Sequence, residues 1–307
     1  MTDRHSRRIA RDVHGILLFD KSAGFSSNDA LQRVKRLYAA RKAGHTGSLD
    51  LLATGLLPIC FGEATKLSGF LLEADKRYRT RLRLGIVTTT GDAEGVVVSE
   101  QAVPVLDHTL VLAVLSRFSG PMEQIPPMHS ALKQGGQRLY KLAHRGLTVA
   151  RSPRPIHIHA LELLDLGPAS IEISVRCSKG TYIRTLAEDI GAALGCGAHV
   201  AVLRREGVGG FDIKDAIGIP ALEALAVQGH AALDACLLGL DQALADAPRV
   251  ALSRDAAYYL GRGQPVLVPR APACGMVRLY DDGQRFLGVG TVMEDGRIAP
   301  KRLVRAA

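Results

Sequence analysis

The sequence predicts an α+β domain built on a largely antiparallel sheet, followed by a small β-rich domain. Three observations predict it. Tyr78–Val87 and Ile171–Cys177 alternate apolar and polar residues with the period of half-buried strands. Segments with apolar residues at helical spacing lie between such strands, and strands that alternate rather than being wholly apolar favour antiparallel pairing. After Pro248 the chain breaks into short β-like pieces punctuated by Gly and Pro, as in a small barrel or sandwich.

Residues 1–12 are Arg-rich and read as a flexible basic arm. Ile16-Leu17-Leu18-Phe19 is too short for a signal-peptide core, so secretion is not expected. Residues 14–20 fit a strand ending at Asp20-Lys21. Ser26 or Ser27 caps a helix whose apolar face is Ala30, Leu31, Val34, Leu37 and Tyr38 and whose other face carries Arg33, Lys35, Arg36 and Arg41. Gly44 and Gly47 break that pattern, which predicts a loop over 42–50. In Tyr78–Val87, Leu82, Leu84 and Ile86 share one face and Arg79, Arg81 and Arg83 the other. Ile171, Ile173, Val175 and Cys177 alternate in the same way with Glu172, Ser174 and Arg176. A helix is expected at Thr185–Leu194, stopped by Gly195. The Ala-rich residues 229–248 read as the last helix plus a linker, with a domain boundary near 247. Strands are expected at Gln264–Val268, Met276–Tyr280 and Phe286–Met293.

The 307 residues are 47% hydrophobic, enough for a sizeable core and against wholesale disorder. No apolar run reaches the roughly 18 residues of a membrane helix. Five scattered cysteines without a C-x-x-C pair argue against a disulfide framework or a Cys-rich zinc site, so reduced thiols in the cytoplasm are expected. The net charge of +9 suits an anionic partner. Its distribution says more. Gln124–Leu161 contains no Asp or Glu, yet holds Lys133, Arg138, Lys141, Arg145, Arg151, Arg154 and four histidines. A solvated face would mix signs, whereas a one-signed segment suits a phosphate-tracking surface.

Several chemistries find no motif. Gly195-Cys196-Gly197 lacks the third Gly of a dinucleotide loop and follows a helix rather than a strand. Walker A, H-E-x-x-H and G-x-S-x-G patterns do not occur. His157 and His159 on an alternating strand read as solvent- or RNA-facing rather than as metal ligands. No metal or cofactor is implied. Asp50 sits in Gly47-Ser48-Leu49-Asp50-Leu51-Leu52-Ala53-Thr54-Gly55-Leu56-Leu57-Pro58, where local composition alone describes a turn or capping carboxylate.

The run from Gly44-His45-Thr46-Gly47-Ser48-Leu49-Asp50 to Leu57-Pro58 resembles motif II of the TruB family, bacterial tRNA pseudouridine synthases acting on the TΨC loop. The resemblance spans nearly the whole chain. Asp20-Lys21 with Gly24-Phe25-Ser26-Ser27-Asn28 resembles the family's N-terminal motif, and Lys76-Arg77-Tyr78 its tyrosine motif. Gln124-Ile125-Pro126-Pro127-Met128 to Gly146 resembles its RNA-clasping insertion. Cys177-Ser178-Lys179-Gly180-Thr181-Tyr182-Ile183-Arg184-Thr185-Leu186, and Gly195–His199 with Leu203-Arg204-Arg205, resemble its last catalytic motifs. The segment after Pro248 resembles a PUA-like RNA-binding domain. Two positions depart from the pattern. Leu51 and Ser22 stand where most members have proline, and Leu51 frees a backbone N–H and loosens φ beside Asp50.

The resemblance implies a pseudouridine synthase fold, with a mixed, largely antiparallel central sheet flanked by helices and a small PUA-like C-terminal domain. It implies a catalytic domain over 13–247, an insertion over about 124–154 and an RNA-binding domain over 248–307. The implied activity is isomerisation of the tRNA uridine at position 55, by base flipping and Asp-dependent cleavage and re-formation of the glycosidic bond, with tRNA-folding chaperone activity alongside. Such an isomerisation exchanges no electrons or groups and needs no cofactor. Asp50 would be the catalytic carboxylate, with Arg184 holding it and lowering its pKa. Tyr78 would stack on the base and assist the C5 proton. Tyr182 and Leu203 would wall the pocket. His45 would wedge into the vacated stack, and Lys21 would contact a phosphate or support the Asp50 loop. Lys133, Arg138, Lys141 and Arg145 would bind RNA. The expected partner is the TΨC stem-loop of tRNA, bound by a monomer with no obligate protein partner and no membrane association.

Overall fold

The computed structural model describes residues 10–305. The largest sheet runs, edge to edge, through Ile217–Gly218, Gly15–Lys21, Thr54–Phe61, Ala198–Val208, Lys76–Leu84, Ser170–Cys177, Arg154–Gly167 and Gly120–Gln124. Two of these pairings are parallel, Gly15–Lys21 with Ile217–Gly218 and Ala198–Val208 with Thr54–Phe61, and the rest are antiparallel. The sheet is therefore mixed and largely antiparallel.

Alternation decides its two faces. Leu82 and Leu84 pack in the main core with Ile171, Ile173, Val175 and Cys177, against the helices Ser27–Leu37, His108–Ser116 and Ile183–Ala193. On the opposite face Arg79 and Arg81 both pair with Glu172. The first helix starts where the serines predict. Ser26 accepts from the Asp29 amide while Asp29 accepts from the Ser26 amide, a reciprocal capping box. The helix Ile183–Ala193 stops before Gly195, whose φ of +81° is left-handed.

Four expectations need correction. The strand expected over Tyr78–Val87 ends at Leu84, where Gly85 at φ +83° breaks it, and Ile86 belongs to a separate strand, Ile86–Thr88, paired with Val97–Glu100. The stretch 42–50 is not all loop, because Ala43–His45 pairs with Ala43↔Phe61 to His45↔Ile59 register along Thr54–Phe61. Residues 229–248 do not form one helix. Gly229, at φ +108°, separates Ile219–Gln228 from the short helix His230–Asp234, and Leu238 then exchanges backbone hydrogen bonds with Ile16 of the sheet. That pairing uses the backbone groups a continuous helix would need. Nor is this the last helix, since Arg254–Gly261 follows. As for the basic arm, residues 1–9 lie outside the described residues, and Arg11 bridges to Ala40 and ion-pairs with Asp234.

From Arg249 a second sheet forms, ordered Arg249–Ala251, Gly275–Tyr280, Phe286–Val292, Arg297–Leu303, Val266–Leu267. It has its own core of Val250, Leu252, Leu260, Val266, Val277, Leu279, Val292 and Ile298. Leu67, Leu244 and Val289 form a small apolar contact between it and the larger sheet's surroundings, and Tyr280 donates to Asp241 at 2.7 Å.

The loop carrying Asp50 enters the sheet at Gly55, and that entry is tight. Gly55 has φ +106°, and a Cβ there would lie 2.3 Å from the Arg205 carbonyl oxygen of the neighbouring strand. Gly55→Ala is therefore expected to destabilise the protein by about 1–3 kcal/mol from backbone strain alone, with the steric clash adding to it. A thermal unfolding midpoint matching the unsubstituted protein would contradict this reading.

Candidate active site

Four strands and one helix converge on Asp50. The loop 46–53 hangs between Ala43–His45 and Thr54–Phe61, and its backbone is anchored at several points. Thr46 N donates to the Pro58 carbonyl at 3.1 Å, and Leu49 N donates to Ser27 Oγ at 2.7 Å. The Leu51 carbonyl accepts from Gly24 N at 2.9 Å and from Lys21 Nζ at 3.5 Å. These contacts hold the loop where the family pattern has proline at 51, and Leu51 itself projects outward, 46% exposed.

Arg184 sits in the first turn of Ile183–Ala193 and is 5% exposed. Its Nε lies 3.0 Å from Asp50 Oδ2 and its Nη2 3.4 Å from Oδ1, a side-on pairing with both carboxylate oxygens. The rest of the guanidinium is equally committed. Nη1 donates to the Thr90 carbonyl at 3.0 Å, Nη2 to the His129 carbonyl at 2.8 Å, and Asp92 lies 3.8 Å from Nε. Arg184 thus joins the Asp50 loop, the turn at 90–92 and the insertion.

The expected depression of the Asp50 pKa does not occur. Burial pushes it above the ordinary carboxylate value, and Arg184 offsets only part of that rise, while Asp92 adds to it. The Asp50 side chain is still 42% accessible, so one side of the carboxylate can be reached from solvent. A carboxylate largely surrounded by protein loses hydration even with a path to solvent, and one guanidinium shared with a second carboxylate cannot replace it all.

Tyr78 and Leu203 lie on adjacent strands, Lys76–Leu84 and Ala198–Val208. Leu203 is buried, and burial pushes the Tyr78 hydroxyl above its usual range, with Arg205 opposing the shift and Asp50 adding to it. Tyr182 precedes the helix that carries Arg184, its amide donating to Gln124 Oε1 at 2.7 Å and its carbonyl accepting from Gln124 Nε2 at 3.0 Å. His45 is half-buried, and burial with the Arg205 charge lowers its pKa, which keeps the imidazole neutral at pH 7.

Lys21 is 1% exposed, and its ammonium donates to the carbonyls of Ser22 at 2.9 Å and Phe25 at 2.8 Å as well as to Leu51. Of its two expected roles, this geometry matches support of the Asp50 loop. Burial lowers its pKa to about 8.

The insertion leaves the sheet after Gln124 and returns at Arg154. Lys133, Arg138, Lys141 and Arg145 are all exposed on it. Gly135 and Gly136, with φ of +55° and +80°, close a two-residue hairpin that sets Lys133 directly opposite Arg138. Two like charges facing across a ladder repel, so the arrangement gains from an anion between or above them. His157 and His159 stack on each other at 4.5 Å, and His159 contacts Asp75 at 3.0 Å.

Asp92, Gln124 and Arg205 belong to this site by geometry but were not among the expected site residues. Asp92 is 4% exposed and follows a Thr88-Thr89-Thr90-Gly91 run whose hydroxyls at 88 and 90 bond it. That hydroxyl-rich turn was the signal available in the sequence. Gln124 and Arg205 offered none beyond their place in longer motifs.

Known proteins bear on this geometry. Residues 35–183 match the TruB family pseudouridylate synthase N-terminal domain, residues 184–245 the tRNA pseudouridylate synthase B C-terminal domain, and residues 248–304 the pseudouridine synthase II TruB C-terminal domain. The chain is 60% identical over 301 residues to the tRNA pseudouridine synthase B of Nitrosococcus oceani, covering 98% of each chain. To that of Stutzerimonas stutzeri it is 55% identical, again over 98% of each. A chain in the crystal structure of a Cbf5-Nop10-Gar1 complex superposes with a TM-score of 0.74 at 23% identity, covering 95% of this chain and 84% of that one, a likeness of fold. A full-length match at such identity, over three consecutive domains, shows that the chain belongs to the TruB family of pseudouridylate synthases.

Proposed function

We propose that this protein is a tRNA pseudouridine synthase that converts the uridine at position 55, in the TΨC loop, to pseudouridine. The observation that carries the proposal is Asp50, accessible on one side and gripped by Arg184 on the other, in a chain 60% identical to a tRNA pseudouridine synthase B.

The reaction breaks the bond between N1 and C1′, turns the uracil, forms a bond from C5 to C1′, and moves the C5 proton away while N1 gains one. Asp50 acts on the sugar or base as a nucleophile or stabilises positive charge on the ribose. Arg184 fixes its orientation. Tyr78 offers a ring face for the base and an oxygen for the C5 proton, and Leu203 and Tyr182 exclude water around it. The target base must leave its stack to arrive here, and the neutral imidazole of His45, at the mouth of the Asp50 loop, takes its place.

RNA affinity comes from the exposed cations of the insertion, the basic face of the helix Ser27–Leu37 and the C-terminal domain. The TΨC stem-loop is the recognised element and the working form is a monomer. No helix among the described residues is long and apolar enough to cross a membrane, and a cytoplasmic site of action fits a tRNA substrate.

The direct test is to map pseudouridine in tRNA lacking the modification after incubation with the protein. Product at position 55 is expected, and product elsewhere or none would overturn the proposal. Asp50→Asn should lower the rate roughly a thousandfold or more while tRNA still binds, and residual activity near the original would remove Asp50 from the chemistry. Because the raised pKa of Asp50 means its anion is lost earlier as pH falls, the acid limb of kcat/KM should lie above about 4, the ordinary Asp range. For the insertion, Arg138→Ala should weaken tRNA binding at low salt and reduce the slope of log affinity against log salt by about 1. An unchanged slope would mean that this hairpin meets no phosphate.

A further inference from the structure

We propose that Arg205 is a positioning residue that ties the Asp50 loop to Tyr78, an inference that rests on the pseudouridylation reading above. Arg205 is 1% exposed and among the largest fully buried side chains of the protein. Its Nε donates to the Leu56 carbonyl at 2.7 Å and its Nη2 to the Gly47 carbonyl at 3.1 Å. These two carbonyls lie on opposite sides of Asp50 in the chain, so one planar guanidinium closes the loop at both ends. The same group lies beside the Tyr78 hydroxyl and lowers its pKa against the effect of burial.

The backbone places Arg205 for this task. It is paired with Gly55 on the strand that leaves the Asp50 loop and with Tyr78 on the strand beyond. A register irregularity between Arg205 and Gly207 interrupts the second pairing, the kind of bulge that re-aims a side chain. Gly55 lets the Arg205 backbone approach more closely than any side chain would permit.

Charge separates this residue from a merely structural one. Among the described residues no carboxylate lies within 4.0 Å of the Arg205 guanidinium, although Arg77, Arg184 and Arg204 in the same region all have one. Burying an uncompensated cation opposes folding, and an apolar side chain of similar volume would fill the space without that cost. The charge is felt by the groups around it. Lys21 and Lys76, which stand at about 8 with burial as the largest cause, and His45 are all pushed toward their neutral forms in part by it. Cys177 and Asp50 act on Tyr78 in the opposite sense. Arg205 therefore meets the reaction through the two groups it holds, without touching the substrate.

The test is steady-state pseudouridine formation in tRNA by the full-length protein and by Arg205→Lys, together with amide exchange. Lysine keeps the charge but lacks the planar fork that reaches both carbonyls. The expected result is a kcat lowered about tenfold to a hundredfold with KM for tRNA little changed, and faster exchange confined to 46–53. A kcat within about twofold of the original, a KM rise matching the kcat loss, or faster exchange throughout the domain would overturn the proposal. If Arg205→Lys does not fold, Arg205→Gln is measured in the same way, and failure of both to fold would make the residue structural and end the proposal. Inactivity of the unsubstituted protein would instead count against the function itself.

Discussion

The arrangement of this active site depends on one buried guanidinium, that of Arg184. Its contacts with Asp50, Asp92, Thr90 and His129 bring together a loop, a turn, a helix terminus and the base of the insertion. Each of these segments is irregular or short and has little reason to hold its shape alone. An arginine can do this where a lysine cannot, because its donors are fixed in a plane and satisfy carboxylate and carbonyl oxygens at once. The contact with His129 also means that the chain segment expected to clasp RNA begins on the same group that orients the Asp50 carboxylate. Gln124 and Tyr182 repeat that link one step away through a reciprocal pair of hydrogen bonds.

The electrostatic balance around Asp50 follows from competition rather than from the ion pair alone. Arg184 and Lys21 favour the anion, whereas burial and Asp92 disfavour it, and the second group wins. A carboxylate poised in this way is less tightly solvated than an exposed one, which suits a group that must attack or stabilise an electron-poor centre. The loop around it is held by carbonyl and hydroxyl contacts, so the proline absent at 51 is replaced as a stiffening element by Ser27, Gly24 and Lys21.

Much of this was legible in the sequence, and the exceptions share a cause. The alternation in Tyr78–Leu84 and Ile171–Cys177 located two central strands and their buried faces, because one-sided burial leaves a period of two, but it ran on past Gly85 into Ile86, which belongs to another strand. The Ser26 cap and the Gly195 stop were readable because capping is local. Asp50, Tyr78 and Arg184 were singled out only through a family resemblance, since nothing local distinguishes Asp50 from a turn residue. Arg205 went unread because its partners lie far away in sequence and an Arg-Arg pair on a strand, of which only Arg205 is buried, looks like a basic surface, whereas Asp92 had a local signal in its threonine-rich turn but meets Arg184 only in the fold. Residues 229–248 misled for a related reason. Their alanine content favours helix, but pairing of Leu238 with Ile16 overrides propensity.

The ionisation of Asp50 itself tests the account most directly. It can be followed by carbon NMR of the side-chain carboxyl, with the resonance identified by its absence in Asp50→Asn. The midpoint is expected above about 4 in the unsubstituted protein and higher still in Arg184→Gln, where the charge that offsets burial is gone. A midpoint at or below the ordinary carboxylate range, or one unmoved by Arg184→Gln, would contradict the claim that burial and Arg184 compete for this carboxylate.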